Sequence, residues 1–174
     1  MGNKLFKKQI EVLILDLKKF SLSLTHDIDN SNDLVQQSLA IALAKEGQFK
    51  KNSNLKSWLF RIVYTTWVDV IRKNKTISNY KNRFHGAQQA EAGNNLSISA
   101  LNTCIDYKTM LNLLTDKQKA PFHLVCIEGY TYDETAKILG ISVGTVASRV
   151  SHSRSKFNQY FSDKKKIKKL KKWS

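Results

Sequence analysis

One proline and seven glycines in 174 residues leave this chain few places to break a helix. Proline removes a backbone donor and glycine loosens the backbone, so a chain poor in both, with apolar residues recurring three and four apart, is suited to helices rather than to strands and tight turns. The expected fold class is therefore all-α. The few breakers also locate the boundaries. Residues 5–75 read as one helical block. Within it Asp33 to Lys45 (DLVQQSLAIALAK) is a helix ended by Gly47, and the polar stretch QFKKNSN (48–54) is a loop whose Asn54 can cap the next helix. That helix, LKSWLFRIVYTTWVDVIRKNK, places Leu55, Trp58, Leu59, Ile62, Val63, Thr66 and Val70 on an inward face, and Arg61, Thr65 and Arg72 on a polar strip that Lys73 extends.

From residue 76 to 99 the text turns polar and aperiodic, with Gly86 and Gly93, as in a flexible linker. A second block spans 100–162. One helix ends near Leu114. Thr115 and Gln118 have the spacing of a capping box, but Pro121 lies deep for a helix beginning there and suggests a later start. Thr131 and Glu134 in TYDE open a short helix, Gly140 can supply the positive φ of a tight turn, and Ser142 can cap the helix after it. Two helices joined in this way form a helix-turn-helix unit. On its second helix Val143, Val146, Val150 and Phe157 make an apolar stripe. Beside it Thr145, Ser148, Arg149, His152 and Lys156 make a stripe with no acid, suited to phosphates and base edges.

The formal charge of +15 favours a polyanionic partner, nucleic acid before an anionic membrane. Part of it sits in residues 163–174, a basic tail of seven lysines and one aspartate. No apolar run is long enough for a membrane span, so no stable membrane insertion is expected. The start of the chain lacks the features of a signal peptide. Cys104 and Cys126 form no Cys-x-x-Cys pair and suit a reduced, cytoplasmic setting. His123 and Cys126 stand three apart, too few ligands for a closed metal site. There is no glycine-rich phosphate loop and no spaced catalytic set, so neither a cofactor nor enzymatic turnover is expected.

The segment EGYTYDETAKILGISVGTVASRVSHSRSKF resembles the last conserved region of bacterial RNA polymerase sigma factors, where GTV-x-SR-x-x-x-x-R is characteristic. NDLVQQSL and LKSWLFRIVYTTWVDVIRK independently resemble that family's Asp-Leu-Val-Gln and Trp-Leu helices. The two matches stand in order about a linker, with no middle domain between them, as in the extracytoplasmic-function (ECF) group. The resemblance implies a region 2-like domain over 1–75, a linker over 76–99 and a region 4-like helix-turn-helix domain over 100–162. It implies core polymerase binding through Asp33, Gln36 and Gln37. Reading of the upstream, minus-35 element would fall to Thr145, Ser148, Arg149, His152 and Lys156. Opening of the minus-10 element would involve Arg61, Thr65, Arg72 and Lys73, with a flipped base caught by the loop Gln48–Asn54 through Phe49 and Asn52. It further implies promoter DNA and an anti-sigma factor as partners. Thr65, Ala147 and His152 depart from the family's usual residues and bear on which promoter is preferred. The rival is a stand-alone helix-turn-helix regulator, which would leave the DLVQQ and WLFRI matches unexplained.

Overall fold

The computed structural model describes the backbone of residues 2–50, 53–84 and 111–170, and the side chains of 4–50, 53–77 and 111–162. The described residues are helical, joined by turns and short loops, as the scarcity of breakers leads one to expect. The chain divides into two units, Met1–Ser99 and Ala100–Ser174.

The first unit packs three helices together, α1 (Gly2–Thr25), α2 (Ile28–Ala44) and α3 (Leu55–Phe84), with a 3-10 turn at Glu46–Gln48. Along α1, Phe6, Ile10, Leu17, Phe20 and Leu24 recur at helical spacing and are buried. They meet Leu34, Val35 and Ala42 of α2 and Leu59, Phe60, Val63 and Trp67 of α3. The Phe20 and Phe60 rings, both fully buried, meet edge to face at 4.9 Å. Truncating such a ring costs roughly 3–5 kcal/mol. The half-exposed Lys56–Asp16 pair between α3 and α1, at 2.7 Å, is worth about 0–1 kcal/mol, so apolar packing and not charge holds this unit together. Small buried serines line α2: Ser38 donates to the Leu34 carbonyl at 2.7 Å and so carries no unsatisfied hydroxyl into the core.

Several expectations are corrected. Helix α2 begins at Ile28 rather than at Asp33. Asp27 takes the cap position and accepts the Asn30 N–H at 2.8 Å, so Asp33 lies in mid-helix. Helix α3 does not stop at Lys75 but continues to Phe84. Its buried face holds Leu59, Ile62, Val63 and Thr66 as expected, with two additions and one exception. Phe60 and Trp67 are also inside, and Val70 is 37% exposed. Asn54 caps α3 as expected, accepting the Ser57 N–H at 3.0 Å.

The second unit holds α4 (Asp116–Phe122), a π-helical segment (His123–Ile127), α5 (Tyr132–Leu139) and α6 (Val143–Leu170). Helix α4 does start at the Thr115–Gln118 capping box, with Thr115 as its N-cap, in spite of Pro121. Gln118 Oε1 accepts the Thr115 N–H at 3.0 Å and secures the first turn. The helix widens immediately after the proline, with Glu128 N donating to the His123 carbonyl at 3.0 Å in π spacing. This widening draws His123 inside, its Nε2 3.4 Å from Glu128 Oε1, and leaves Cys126 exposed. The pair is thus divided between interior and surface, and no group of three metal-ligating side chains occurs among the described residues. Leu111, Leu114, Phe122 and Phe157 form one cluster, and Ala136, Val146 and Val150 a second, both closed by α6. Helix α6 runs on into the lysine-rich tail as far as Leu170. No described helix is long and apolar enough to cross a membrane.

Candidate nucleic-acid interface

The helix-turn-helix is built from local rules. Thr131 caps α5, its hydroxyl accepting the Glu134 N–H at 3.2 Å while Glu134 Oε2 accepts the Thr131 N–H at 2.9 Å. These bonds from Thr131, its backbone N–H first and its hydroxyl second, hold the Glu134 carboxyl below its ordinary value, with Lys137 adding to the effect. Gly140 ends α5 at φ +66°, ψ +37°, the left-handed region that only glycine enters without a Cβ penalty. Ser142 then caps α6, its Oγ accepting the Thr145 N–H at 3.2 Å and lying 2.8 Å from Thr145 Oγ1.

These caps decide how α6 is presented. Val146 and Val150 are fully buried against α5 and Phe157 packs edge to face on Phe122 at 4.9 Å, which leaves the opposite strip outward. Ser148 and His152 are exposed, and Thr145 and Arg149 half-buried. Val143 is an exception to the expected apolar stripe. It is 39% exposed. Lys156 is exposed and also bonds within its own unit. Its Nζ donates to the Leu113 carbonyl at 3.0 Å and to Gln118 Oε1 at 3.3 Å, which ties α6 to the entrance to α4, while the residue as a whole stays exposed. Arg154, the last residue of the characteristic run, is exposed, with its Nη2 3.7 Å from Cys126 Sγ.

In the first unit Asp33, Gln36 and Gln37 are exposed together on α2 while Leu34, Val35 and Ser38 are buried beneath them. Arg61, Thr65, Arg72 and Lys73 are exposed along α3, again as one strip. The Thr65 hydroxyl donates back to the Arg61 and Ile62 carbonyls, each at 3.0 Å, and Arg72 lies 3.7 Å from Asp69 in an exposed pair. Asn52 lies outside the described residues. Phe49 is half-buried. Its ring packs on Trp58 at 5.3 Å and on Phe6 at 5.8 Å, so the ring expected to meet a base already serves as an anchor. Each such aromatic pair is worth about 0.5–1.5 kcal/mol beyond the area it buries. Phe6, whose ring is also 6.2 Å from Trp58, went unnoticed in the sequence, since nothing in its spacing ties the first turn of α1 to a loop far along the chain.

Residues 10–77 match the family described as Sigma-70 region 2, and residues 105–157 the family described as Sigma-70, region 4. A curated relative, the ECF RNA polymerase sigma factor EcfG of Rhodopseudomonas palustris, is 28% identical over 153 residues, which span 87% of this chain and 82% of the relative. Among solved structures, the sigma factor RpoE of Bartonella quintana, determined in complex with the anti-sigma factor NepR, is 30% identical with a TM-score of 0.78; the match covers 91% of this chain and 98% of that one. CnrH, determined in complex with the cytosolic domain of CnrY, is 20% identical with a TM-score of 0.63, covering 91% and 88%, a likeness of fold.

Proposed function

Because the chain belongs to the ECF group of RNA polymerase sigma factors, we propose that its two units divide promoter recognition between them. The chain binds core RNA polymerase, directs it to specific promoters and promotes strand opening. The second unit takes the upstream element. Thr145, Ser148, Arg149 and His152 face the major groove from the first turns of α6, with Arg149 the donor suited to a guanine edge and the short hydroxyls suited to phosphates. Lys156, exposed further along the same side of α6, adds a cation for the upstream element's phosphates and ties the helix to Leu113. The first unit takes the clamp of core polymerase on Asp33, Gln36 and Gln37. It takes the opened downstream strand on Arg61, Thr65, Arg72 and Lys73, with the loop Gln48–Asn54 receiving an extruded base. Extrusion costs a few kcal/mol, which a receiving pocket offsets by stacking and edge hydrogen bonds.

The work is binding work, without bond chemistry, and it takes place in the cytoplasm where the polymerase acts. An anti-sigma factor is the partner that would restrain it, as NepR is bound to RpoE. A stand-alone regulator would account for the helix-turn-helix but not for the region 2 match over residues 10–77.

The observation that carries the proposal is the occurrence of both sigma-70 regions, in order, on two separate units, the second with an acid-free outward strip on its capped helix. Run-off transcription with purified core polymerase on a genomic library, with and without the chain, is the test. New start sites sharing a spaced upstream and downstream motif are the expected result. Specific DNA binding by the chain alone, with no core-dependent initiation, would favour the regulator.

A further inference from the structure

Helix α1 carries apolar residues on two faces. The core takes Phe6, Ile10, Leu17, Phe20 and Leu24. On the other side Leu5, Lys8, Val12, Leu15 and Lys19 follow one another at spacings of three and four, and all five are exposed. Leu5 is 63% exposed, Val12 80% and Leu15 69%. Single exposed aliphatics are ordinary on a protein surface. Three on one line within the eleven residues from Leu5 to Leu15 form a patch of the kind that marks an interaction site. None of the five belongs to the strips assigned above to core polymerase or to DNA.

Spacing and charge together define what fits. A three-four alternation is the seam of a coiled coil, where each residue sits between side chains of a facing helix. The charge along this seam is one-sided. Lys8 and Lys19 stand in it, and Lys4 and Lys18 are exposed beside it. Of the acids nearby, Glu11 is exposed and Asp16 is held by Lys56 at 2.7 Å. From Leu5 to Lys19 the seam runs about 21 Å, room for about four turns of a second helix.

We infer that the outward face of α1 is a docking surface for an acidic amphipathic helix of another protein. Aliphatic residues of that helix meet Leu5, Val12 and Leu15, and its carboxylates meet Lys8 and Lys19. The other occupants fit less well. Duplex DNA would use the lysines but leave the three aliphatics without an apolar partner. An anionic membrane takes up a continuous apolar face, and two of the five seam positions here are lysines. A second copy of the chain would bring two lysine-rich seams together.

The test titrates the full chain, at physiological salt, into two fluorescent synthetic peptides of about three heptads. Both have the same leucine seam; one is flanked by glutamates and the other by lysines. The wild type is expected to bind the glutamate peptide and to prefer it over the lysine peptide roughly tenfold or more in Kd. Leu5→Gln, Val12→Gln and Leu15→Gln combined keep the net charge and should weaken the glutamate peptide roughly tenfold. Lys8→Glu with Lys19→Glu should abolish the preference or reverse it. Circular dichroism and thermal unfolding of both variants should match the wild type, since every substituted position is exposed. The charge variant serves alone if the triple one fails to fold. No binding of the glutamate peptide, equal binding of both peptides, or unchanged binding in folded variants overturns the inference. Phosphatidylserine vesicle binding, duplex DNA binding or a dimer in sedimentation that the triple variant loses also overturns it, by naming a different occupant.

Discussion

Lys156 Nζ donates to the Leu113 carbonyl across 3.0 Å, joining the middle of α6 to the end of the helical turn before α4. The same ammonium reaches Gln118 Oε1, the atom that also accepts the Thr115 N–H, so one lysine and one glutamine connect α6 to the first turn of α4. A cation next to helix-end carbonyls gains from both the hydrogen bond and the local dipole.

Replacing Lys156 with methionine keeps the apolar stem and removes both bonds. The expected cost is about 1 kcal/mol of stability for these partly exposed contacts. The ranking of upstream promoter sequences should be unchanged. Thermal unfolding of the full chain, paired with competition binding against single-base variants of the upstream element, checks both halves. A reordered sequence preference would return Lys156 to the reading face.

Arg149 behaves differently, because it stands on the outward strip between Thr145, Ser148 and His152. Arg149→Ala should weaken promoter-dependent binding by about 1–3 kcal/mol and relax selectivity at one position of the upstream element, with little effect on stability. Uniform weakening across all sequences would instead mark it as a phosphate contact.

The Glu134 capping bond makes the second unit sensitive to acid. Its folded carboxyl lies below the ordinary 4.5 because the Thr131 N–H and hydroxyl favour the ionised form. A lowered value means that its contribution is complete above the ordinary value and is lost as pH falls through the folded one. Urea unfolding as a function of pH should therefore show wild type ahead of Glu134→Ala at neutrality, with the gap narrowing below about pH 4.5. A gap that does not change with pH would show that the carboxylate charge is not what secures the cap.

At Gly140 the substitution effect separates conformation from space. A Cβ there would meet no heavy atom within 4 Å, so any cost of Gly140→Ala comes from φ +66° alone. About 1–2 kcal/mol is expected, and less for asparagine, which tolerates this region. Thermal unfolding of the two variants side by side tests the ordering.

The amino-acid order by itself determined the features set within a turn or two of helix. Thr131 with Glu134, Gly140, Ser142 and the Val146–Val150–Phe157 stripe are all specified by short spacings, and they suffice to build a helix-turn-helix and to show which side of α6 faces out. The sigma-type motifs are legible for the same reason. Tertiary structure decided whatever depends on how helices cross. It turned Lys156 onto Leu113, set Phe49 between Phe6 and Trp58, buried Phe60 and Trp67 while exposing Val70, and sent the π-widened turn after Pro121 inward at His123. Helical periodicity gives the angle of a side chain about its own axis, but not which neighbouring element lies at that angle. The contacts of Lys156 with Leu113 and of Phe49 with Phe6 and Trp58 therefore belong to the packing and are not legible in the spacing of the residues.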